Sequence, residues 1–508
     1  MSYYLLLVLI SVVSYLYYLA TRTFNYWNRK NVNGPTPIPV FGNLIDMALR
    51  RKQVGIIYKE IYERYPEEKV VGIYKMTTPS VIIRDLDIVK QILIKDFDVF
   101  SDRGIEFSKE KLGDSLFHCD IETWRVLRNR VTPALTSSKL RRTFHLFDSH
   151  GDKFVDYIEN ACLKQREQNM CALFQRYAIA TIMSAIFDLN VDTYRDDNEI
   201  FDLVDKGIFT PTYATEMDLL YPGCLTKYNV SIFGESAIKF CHEVVQTVVK
   251  QRNGNPSQRG DVIDLLMALR QKSAMQSEKR QTNNKDTVME ITDHVIAGQV
   301  FILYAAGYEN SNLSLSYAMY HLAHNTDIQD KLASEIDEML QKHGGKVTYD
   351  SLHEMKYLDM VFTETLRMHP LTNSVTRSAN QDYKIIDTDV TINKGLTVII
   401  SPYAIHHDER HYPDPEKFVP ERFSPEVIRN RHPCAYIPFG AGPRACIGRR
   451  LAKILFGVCV VKFLSRFRVE VSNKTPRTIK YDPWRIFLSP TGGLHLNLIA
   501  RNRSNTEV

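Results

Sequence analysis

One cysteine stands in a segment whose composition suits neither a helix interior nor a packed strand. Cys446 lies within Phe439–Gly448, where three glycines, a proline and an arginine surround the thiol. The glycines permit backbone angles closed to other residues and let a bulky partner approach, and Pro443 stiffens the turn. Such a loop can direct backbone N–H groups at the sulfur and leave one face open. A thiolate held in this way is a strong ligand for a soft or borderline metal.

Arg444 lies two residues before the cysteine and can pair with a carboxylate on whatever the sulfur binds. The alternative is a glycine-rich turn that happens to contain a cysteine. The segment resembles the haem-ligand loop of the cytochrome P-450 family, Phe-x-x-Gly-x-Arg-x-Cys-x-Gly, and matches it at every fixed position. The resemblance implies that Cys446 is the axial ligand of the iron of haem b, with Phe439 and Gly448 as further haem contacts.

A second pair of charges lies in an apolar helical stretch. Glu364 and Arg367 stand three residues apart, so they share one helix face and can form an ion pair. Alone this is a weak signal, because exposed pairs are common and contribute little stability. The family carries such a Glu-x-x-Arg motif together with a Pro-x-Arg-Phe element, which matches Pro420–Phe423. The resemblance implies that Glu364, Arg367 and Arg422 form a buried network that shapes the haem-binding core.

Further side chains could bind the carboxylates of a haem. Trp124 and Arg128 stand four residues apart on one face of a predicted helix, where an indole N–H and a guanidinium can bind one carboxylate together. The alternative is an amphipathic helix with a tryptophan in the core. The family uses this Trp-x-x-x-Arg pair for a haem propionate, and Arg103 and Arg377 stand at matching offsets. With Arg444, these residues would neutralise both propionates.

The apolar run Val295–Ala306 predicts a buried helix that is too short to cross a bilayer. Gly307 follows it, and a glycine in a buried helix lets another group approach the backbone. The family places Ala/Gly-Gly-x-Asp/Glu-Thr here, at the site where dioxygen is activated and protonated. The resemblance therefore implies that Ala306 and Gly307 border the haem and that Glu309 is the catalytic acid.

Asn310 departs from this pattern, because the family has an alcohol at that position, usually threonine. Asparagine donates N–H and accepts through its carbonyl oxygen, but it is not an acid and cannot transfer a proton as a hydroxyl does. Three interpretations stay open: Asn310 orders a water itself, Ser311 supplies the hydroxyl from about 100° around the helix, or the protein needs no strong proton relay. The last describes family members that rearrange peroxides without a reductase.

The bulk properties narrow the class of protein. The chain has 508 residues, a hydrophobic content of 44% and a net charge of +5, which does not indicate nucleic-acid binding. Its eight cysteines form no C-x-x-C pair, and their spacing suggests no disulfide framework, which favours a reducing compartment. Helical patterns dominate, with short strands near residues 69–83 and after Pro370. These patterns predict a mainly α fold with minor β, and the resemblance implies the single large cytochrome P-450 fold.

The N-terminal residues differ in kind from the rest. The run from Tyr3 to Ala20 carries no charge, and basic residues follow it but do not precede it. Its length and the positive-inside rule predict a transmembrane anchor over residues 1–21, with the body in the cytosol. A cleaved signal peptide is the alternative. Residues 22–45 are basic and proline-rich and predict a stiff hinge. Residues 46–508 would then be the catalytic domain, on the endoplasmic reticulum membrane as in microsomal family members.

Basic residues cluster after the cysteine loop with no acid among them. The predicted basic patch consists of Arg444, Arg449, Arg450 and Lys453, extended by Arg125, Arg130 and Lys139. Such a patch suits an acidic redox partner, and a solvated basic face is the alternative. The resemblance implies that electrons come from NADPH through a reductase bound on this proximal face, with cytochrome b5 as a second candidate partner.

These features predict a haem-thiolate monooxygenase that inserts one oxygen atom from O2 into a lipophilic substrate. The resemblance is to the microsomal animal branch, insect detoxification members especially. The predicted pocket is apolar and includes residues 104–118, Phe301, Ala305, Ala306 and Leu371–Val375. The segment Ile208–Phe233 is predicted to be either a core connector or a mobile roof. The alternative functions are a haem-thiolate isomerase of lipid hydroperoxides and a non-catalytic haem sensor or carrier.

Overall fold

Helices make up most of the chain in the computed structural model, and short strands lie beside them, which confirms the predicted mainly α fold with minor β. The described residues are 2–105, 112–194, 199–210, 231, 233–259, 261–271, 275–276, 288–289 and 291–501. The α-helices among them are Ser2–Thr21, Ile45–Ala48, Val54–Arg64, Leu86–Lys90, Ile121–Val131, Ser137–Arg142, Phe144–Lys164, Met170–Phe187, Glu199–Phe209, Glu235–Gln251, Val262–Gln271, Asp293–His324, Thr326–Lys342, Tyr349–Glu354, Lys356–Met368, Pro402–His406, Pro425–Arg429 and Arg449–Leu464.

The strands form small sheets at the edge of the helical body. They are β1 (Val70–Lys75), β2 (Thr78–Ile83), β3 (Glu167–Asn169), β4 (Met275–Gln276), β5 (Val288–Met289), β6 (Val375–Ser378), β7 (Tyr383–Lys384), β8 (Thr391–Ile392), β9 (Thr397–Ile400), β10 (Phe467–Val471) and β11 (His495–Ala500). The largest sheet has the order β1-β2-β9-β6, with β2 and β9 parallel and its other pairs antiparallel. A second has the order β10-β11-β3, and β4-β5 and β7-β8 are two-stranded.

The turn between β1 and β2 is short. Met76 takes a positive φ of 52°, and Thr78 and Pro79 already belong to β2. Proline is tolerated there because β9 pairs with β2 only from Ser80 onward, so no ladder hydrogen bond to β9 is lost.

The helix Asp293–His324, called the central helix below, runs through the core. Thr292 caps its N-terminus by accepting the Val295 N–H. The central helix is buried almost all round, as is Met170–Phe187, which packs against it. Met170–Phe187 is apolar and long enough to cross a membrane, but most of it is buried inside the protein, as expected of a core helix.

The helix Ser2–Thr21 stands apart from that core. Its segment Tyr3–Thr21 has a mean hydropathy of 1.9 and none of it is buried in the protein, which is consistent with a membrane anchor. Part of the predicted hinge is packed on the body: Trp27 is buried and donates its indole N–H to the Ile73 carbonyl at 2.9 Å. Most of the predicted roof, residues 211–230 and 232, lies outside the described residues.

Candidate functional site

The Cys446 loop is held in place by its own backbone. The Cys446 N–H donates to the Phe439 carbonyl at 2.9 Å, which closes the loop on itself. The Gly448 N–H donates to Cys446 Sγ at 3.3 Å. Because the helix Arg449–Leu464 begins directly afterwards, the sulfur also lies beside a helix N-terminus, where a negative charge is stabilised. The geometry predicted for a ligand thiolate is therefore present.

The Cys446 side chain is accessible to solvent although protein groups surround its thiol. The residue is exposed, yet burial raises the pKa of its thiol. The Gly448 N–H and the guanidiniums of Arg128 and Arg103 act in the opposite direction on this pKa. Both observations fit a sulfur at the floor of a deep cleft. In the described part of the chain no three His, Cys, Asp or Glu side chains group to hold a metal ion. A metal at Cys446 would therefore have to bring further ligands with it, as a macrocycle does.

Gly442 is the point of closest approach in this loop, because a Cβ there would run into the Leu93 carbonyl group. Gly440 has almost the same φ (70° against 72°), yet a Cβ there would come no closer than 3.9 Å to Ala445 Cα. We expect Gly442→Ala to lower the free energy of unfolding by about 2–5 kcal/mol, from left-handed strain plus overpacking. The matched variant Gly440→Ala should lose only the strain, about 1–2 kcal/mol. Denaturant unfolding compares the two, and equal losses would contradict the packing argument.

Arginine side chains converge beside the sulfur. Burial lowers the pKa of Arg103 well below its usual value and that of Arg377 and Arg444 to about 10, with the neighbouring guanidiniums contributing in each case. Arg377 Nε and Arg444 Nε and Nη1 are buried without a hydrogen-bond partner. Arg444 also lies over the Trp124 ring, with its Cζ 4.4 Å from the centroid. Unpaired cations packed together require anions, and the two carboxylates of a haem meet that requirement.

The central helix carries Ala306, which is exposed, and Asn310 one turn later. Asn310 Nδ2 donates to the Ala306 carbonyl at 2.9 Å, while its Oδ1 is buried without a partner. Ser311 is buried, and its hydroxyl donates to the Gly307 carbonyl at 2.7 Å. The Asn310 amide therefore has one acceptor without a hydrogen bond in the described part of the chain, and the three interpretations of this position stay predictions.

Gly307 has a packing role that the sequence did not indicate. A Cβ at this position would lie 2.9 Å from Ile182 Cδ1, on the helix Met170–Phe187. The close approach that Gly307 allows on this side is therefore that of a neighbouring helix. That Gly307 also borders the haem stays a prediction.

Glu309 is buried and bound to a cation that no local motif indicates. Arg485 Nη2 donates to Glu309 Oε1 at 3.0 Å, and Arg485 also pairs with Asp205. Burial raises the pKa of the Glu309 carboxyl, and Arg485 opposes that change. Arg485 and Asp205 lie far from Glu309 in the chain, so their role appears only in three dimensions.

The predicted Glu364 network is present. Arg367 Nε and Nη2 donate to the two Glu364 carboxylate oxygens at 2.7 and 2.9 Å, and both side chains are fully buried. Arg422 Nε lies 3.5 Å from Glu364 Oε1, and the Val419 N–H donates to the same oxygen at 2.9 Å. Arg367 also donates to the carbonyls of residues 406, 415 and 417. It thereby joins the helix Lys356–Met368 to the loops that precede the cysteine.

The predicted basic patch is only partly a surface. Arg444 is buried at the cleft and does not contribute to it, whereas Arg449 and Arg450 are exposed. Acids from other elements pair with two further members: Lys453 Nζ lies 2.6 Å from Asp359 and Arg125 Nη2 lies 3.2 Å from Asp98. The sequence could not show these pairs, because the acids lie outside the patch in the chain.

An accessible thiol in a glycine-rich loop and, among the described residues, buried arginine nitrogens without hydrogen-bond partners are the features of a haem-thiolate protein. The chain belongs to the cytochrome P-450 family, whose model matches residues 32–498. It is 49% identical to cytochrome P-450 6B2 of Helicoverpa armigera over 96% of both chains. It is 48% identical to cytochrome P-450 6B1 of Papilio polyxenes over 98% of this chain and 100% of that one. Probable cytochrome P-450 6d5 of Drosophila melanogaster is 33% identical over 96% and 98%.

Family membership over nearly the whole length confirms the predicted activity. The protein is a haem-thiolate monooxygenase with a haem-iron cofactor, and as a family member it takes lipophilic substrates and a redox partner. Nothing in the comparisons favours the isomerase or the non-catalytic carrier.

Proposed function

We propose that the protein oxidises lipophilic compounds with electrons from NADPH delivered by a reductase, and that Cys446 is the ligand of its haem iron. The observation that carries the assignment is the Cys446 sulfur, held by the Gly448 N–H and open to the cleft. Haem, when bound, supplies the oxygen-activating chemistry, and a thiolate ligand favours O–O cleavage.

The chain's own residues would orient the cofactor. The propionates would be bound by Arg103, Trp124, Arg128, Arg377 and Arg444. Phe439 and Gly448 would border the haem on the sulfur side, and Ala306 would border it on the opposite side. Asn310 would hold a water through its free Oδ1, and Glu309 would be the acid that resupplies protons.

Buried apolar residues of the predicted substrate pocket support the proposal of a lipophilic substrate. Phe301 is buried, and its ring lies 4.4 Å from that of Phe233 and 6.0 Å from that of His118. Ala305 and Leu371 are also buried apolar residues. A lining of this kind binds lipophilic molecules and offers few hydrogen bonds. Together with the insect relatives, it supports a role in oxidising lipophilic foreign compounds.

The membrane placement follows from the N-terminal helix. Residues 1–21 would anchor the protein in the endoplasmic reticulum membrane, residues 22–45 would set the angle of the body, and residues 46–508 would form the catalytic domain in the cytosol. The buried Trp27 supports a fixed angle, because it fastens part of the hinge to β1. Reductase and cytochrome b5 would bind the proximal face at the exposed Arg449, Arg450 and Arg130.

Reconstitution tests this function. The purified protein, with a reductase and NADPH, should convert members of a lipophilic compound library to products that carry one added oxygen atom from labelled O2. Rearrangement of a lipid hydroperoxide without NADPH would identify an isomerase instead. NADPH-independent haem binding with no product from any compound would identify a carrier.

We expect Asn310→Thr to raise the yield of product per NADPH consumed, by about twofold or more, since a hydroxyl donates a proton where an amide cannot. Asn310→Ala is the control, because it removes the open acceptor and supplies no hydroxyl. Its yield should fall below that of the unmodified protein. Product and NADPH are measured in the same reaction, and an unchanged or lower yield in Asn310→Thr would contradict the expectation.

A further inference from the structure

The carboxylate of Glu309 is held from two sides. Arg485 Nη2 donates to Oε1 at 3.0 Å and Asn312 Nδ2 donates to Oε2 at 3.4 Å. The Glu309 side chain is 4% exposed. In this arrangement the acid has no direct contact with bulk water, so its proton exchange depends on the groups that hold it.

Arg485 serves a second carboxylate with the same guanidinium. Its Nη1 and Nη2 donate to Asp205 Oδ2 and Oδ1 at 2.7 and 3.0 Å. The Tyr308 hydroxyl donates to Asp205 Oδ1 at 2.5 Å. One cation is thus shared by two largely buried carboxylates, and any change in its bond to Asp205 changes its bond to Glu309.

This triad of Arg485, Asp205 and Glu309 joins three elements. Asp205 lies on the helix Glu199–Phe209, Glu309 lies on the central helix, and Arg485 lies on the loop before β11. That loop is also fixed by main-chain groups, because the Ile486 N–H donates to the Phe209 carbonyl at 3.2 Å and Gln53 Nε2 donates to the Ile486 carbonyl at 3.1 Å. A cation so firmly placed can set the position of the acid that it binds.

We propose that Arg485 is a positioning residue for oxygen activation, which sets the orientation and protonation of Glu309. Asp205 weakens the attraction between Arg485 and Glu309, because it binds the same guanidinium. The proposal rests on the proposed function, in which Glu309 resupplies protons. It adds two residues, Arg485 and Asp205, that lie outside the family motifs in the cysteine loop and in the central helix. In the described part of the chain neither side chain hydrogen-bonds to Cys446 or Asn310, so both would act through Glu309.

The charges around Glu309 determine whether a substitution raises or lowers the pKa of its carboxyl. Burial raises the pKa of the Glu309 carboxyl, Arg485 lowers it and Asp205 raises it. Glu309 in turn raises the pKa values of four nearby groups, Cys171, Tyr304, Tyr308 and Tyr317. Burial raises the pKa of each of these four groups, so all are neutral near pH 7 and the balance rests with Arg485 and Asp205.

The test is the pH dependence of product formed per NADPH consumed, measured on haem-loaded protein with reductase. Arg485→Gln removes the cation and should move the midpoint of this profile upward, by about one to three pH units. Asp205→Asn removes the competing carboxylate and should move the midpoint downward. Shifts of opposite sign are expected from control of Glu309, whereas a structural role alone would reduce activity in both variants without moving the midpoint.

Further variants keep the proposal falsifiable. Asp205→Asn retains Arg485 and tests the downward shift even if Arg485→Gln does not fold, and Arg485→Lys should restore most of the original profile. In a Glu309→Gln background neither substitution should shift the midpoint. Arg501→Gln is the matched control, because Arg501 also binds one carboxylate, that of Asp337, through two nitrogens.

Shifts of the same sign, a shift that persists in Glu309→Gln, or an Arg485→Gln profile identical to that of Arg501→Gln would overturn the proposal. Failure of the unmodified protein to form product would instead overturn the proposed function, and this inference with it.

Discussion

In the Cys446→Ser variant, the reduced carbon monoxide complex should lose the absorption band that thiolate ligation produces. Product formation with reductase and NADPH should fall by roughly a thousandfold or more, about 4 kcal/mol of lost transition-state stabilisation. The reason is that a serine hydroxyl stays protonated at neutral pH and its oxygen is a hard donor. A thiolate, in contrast, is an anion that donates electron density to iron. The Gly448 N–H that donates to Sγ would remain, so the loop keeps its shape.

The control for this variant is Cys162→Ser, a half-buried cysteine on the helix Phe144–Lys164. Its spectrum and activity should match those of the unmodified protein. A Cys446→Ser protein that retained both the thiolate spectrum and the activity would show that the assignment of the ligand is wrong.

Replacing Glu364 with alanine should prevent haem incorporation. The substitution leaves Arg367 fully buried without its carboxylate and leaves the Val419 N–H without its acceptor. An uncompensated buried charge costs about 3–5 kcal/mol, a large part of the stability of a domain. Because Arg367 also binds three carbonyl groups in the loops before Cys446, its displacement should loosen the haem-binding side of the protein. The measurement is haem per protein after expression, together with the unfolding midpoint.

Glu421→Ala is the matched control for Glu364→Ala. Glu421 precedes Arg422 directly and pairs with Lys331 at 2.6 Å, but both side chains of this pair are about half exposed (50% and 56%). Exposed pairs contribute about 0–1 kcal/mol, so haem content should be unchanged. A Glu364→Ala protein with full haem content would contradict the role assigned to the buried network.

The parts of the site that follow from local spacing could be predicted from the sequence. Glu364 and Arg367 share a helix face because they stand three residues apart, and the structure shows them paired. The loop around Cys446 could be predicted for a related reason, since its glycines permit turns that other residues cannot form and its proline stiffens one of them, all within ten residues. The mainly α fold also follows from helical periodicity, which is a local property.

The predictions that depended on contacts between residues far apart in the chain were less accurate. Arg444 was assigned both to the propionates and to the basic patch, and its burial excludes it from the exposed patch. The basic patch also contains fewer free charges than its composition indicates, because Asp359 and Asp98 pair with two of its members. Charge runs in a sequence do not show which acids of other elements lie opposite them.

By itself, the sequence predicted a metal-binding thiolate in a glycine-rich loop and a mainly helical body, and its resemblance to a known family identified the haem chemistry. Only the tertiary structure decided that Gly442 faces the Leu93 carbonyl, that Gly307 faces Ile182 and that Glu309 is bound by Arg485. The physical reason is that these contacts join elements far apart in the chain. Periodicity and spacing describe neighbours along the backbone, whereas burial and ion pairing depend on which elements fold against one another.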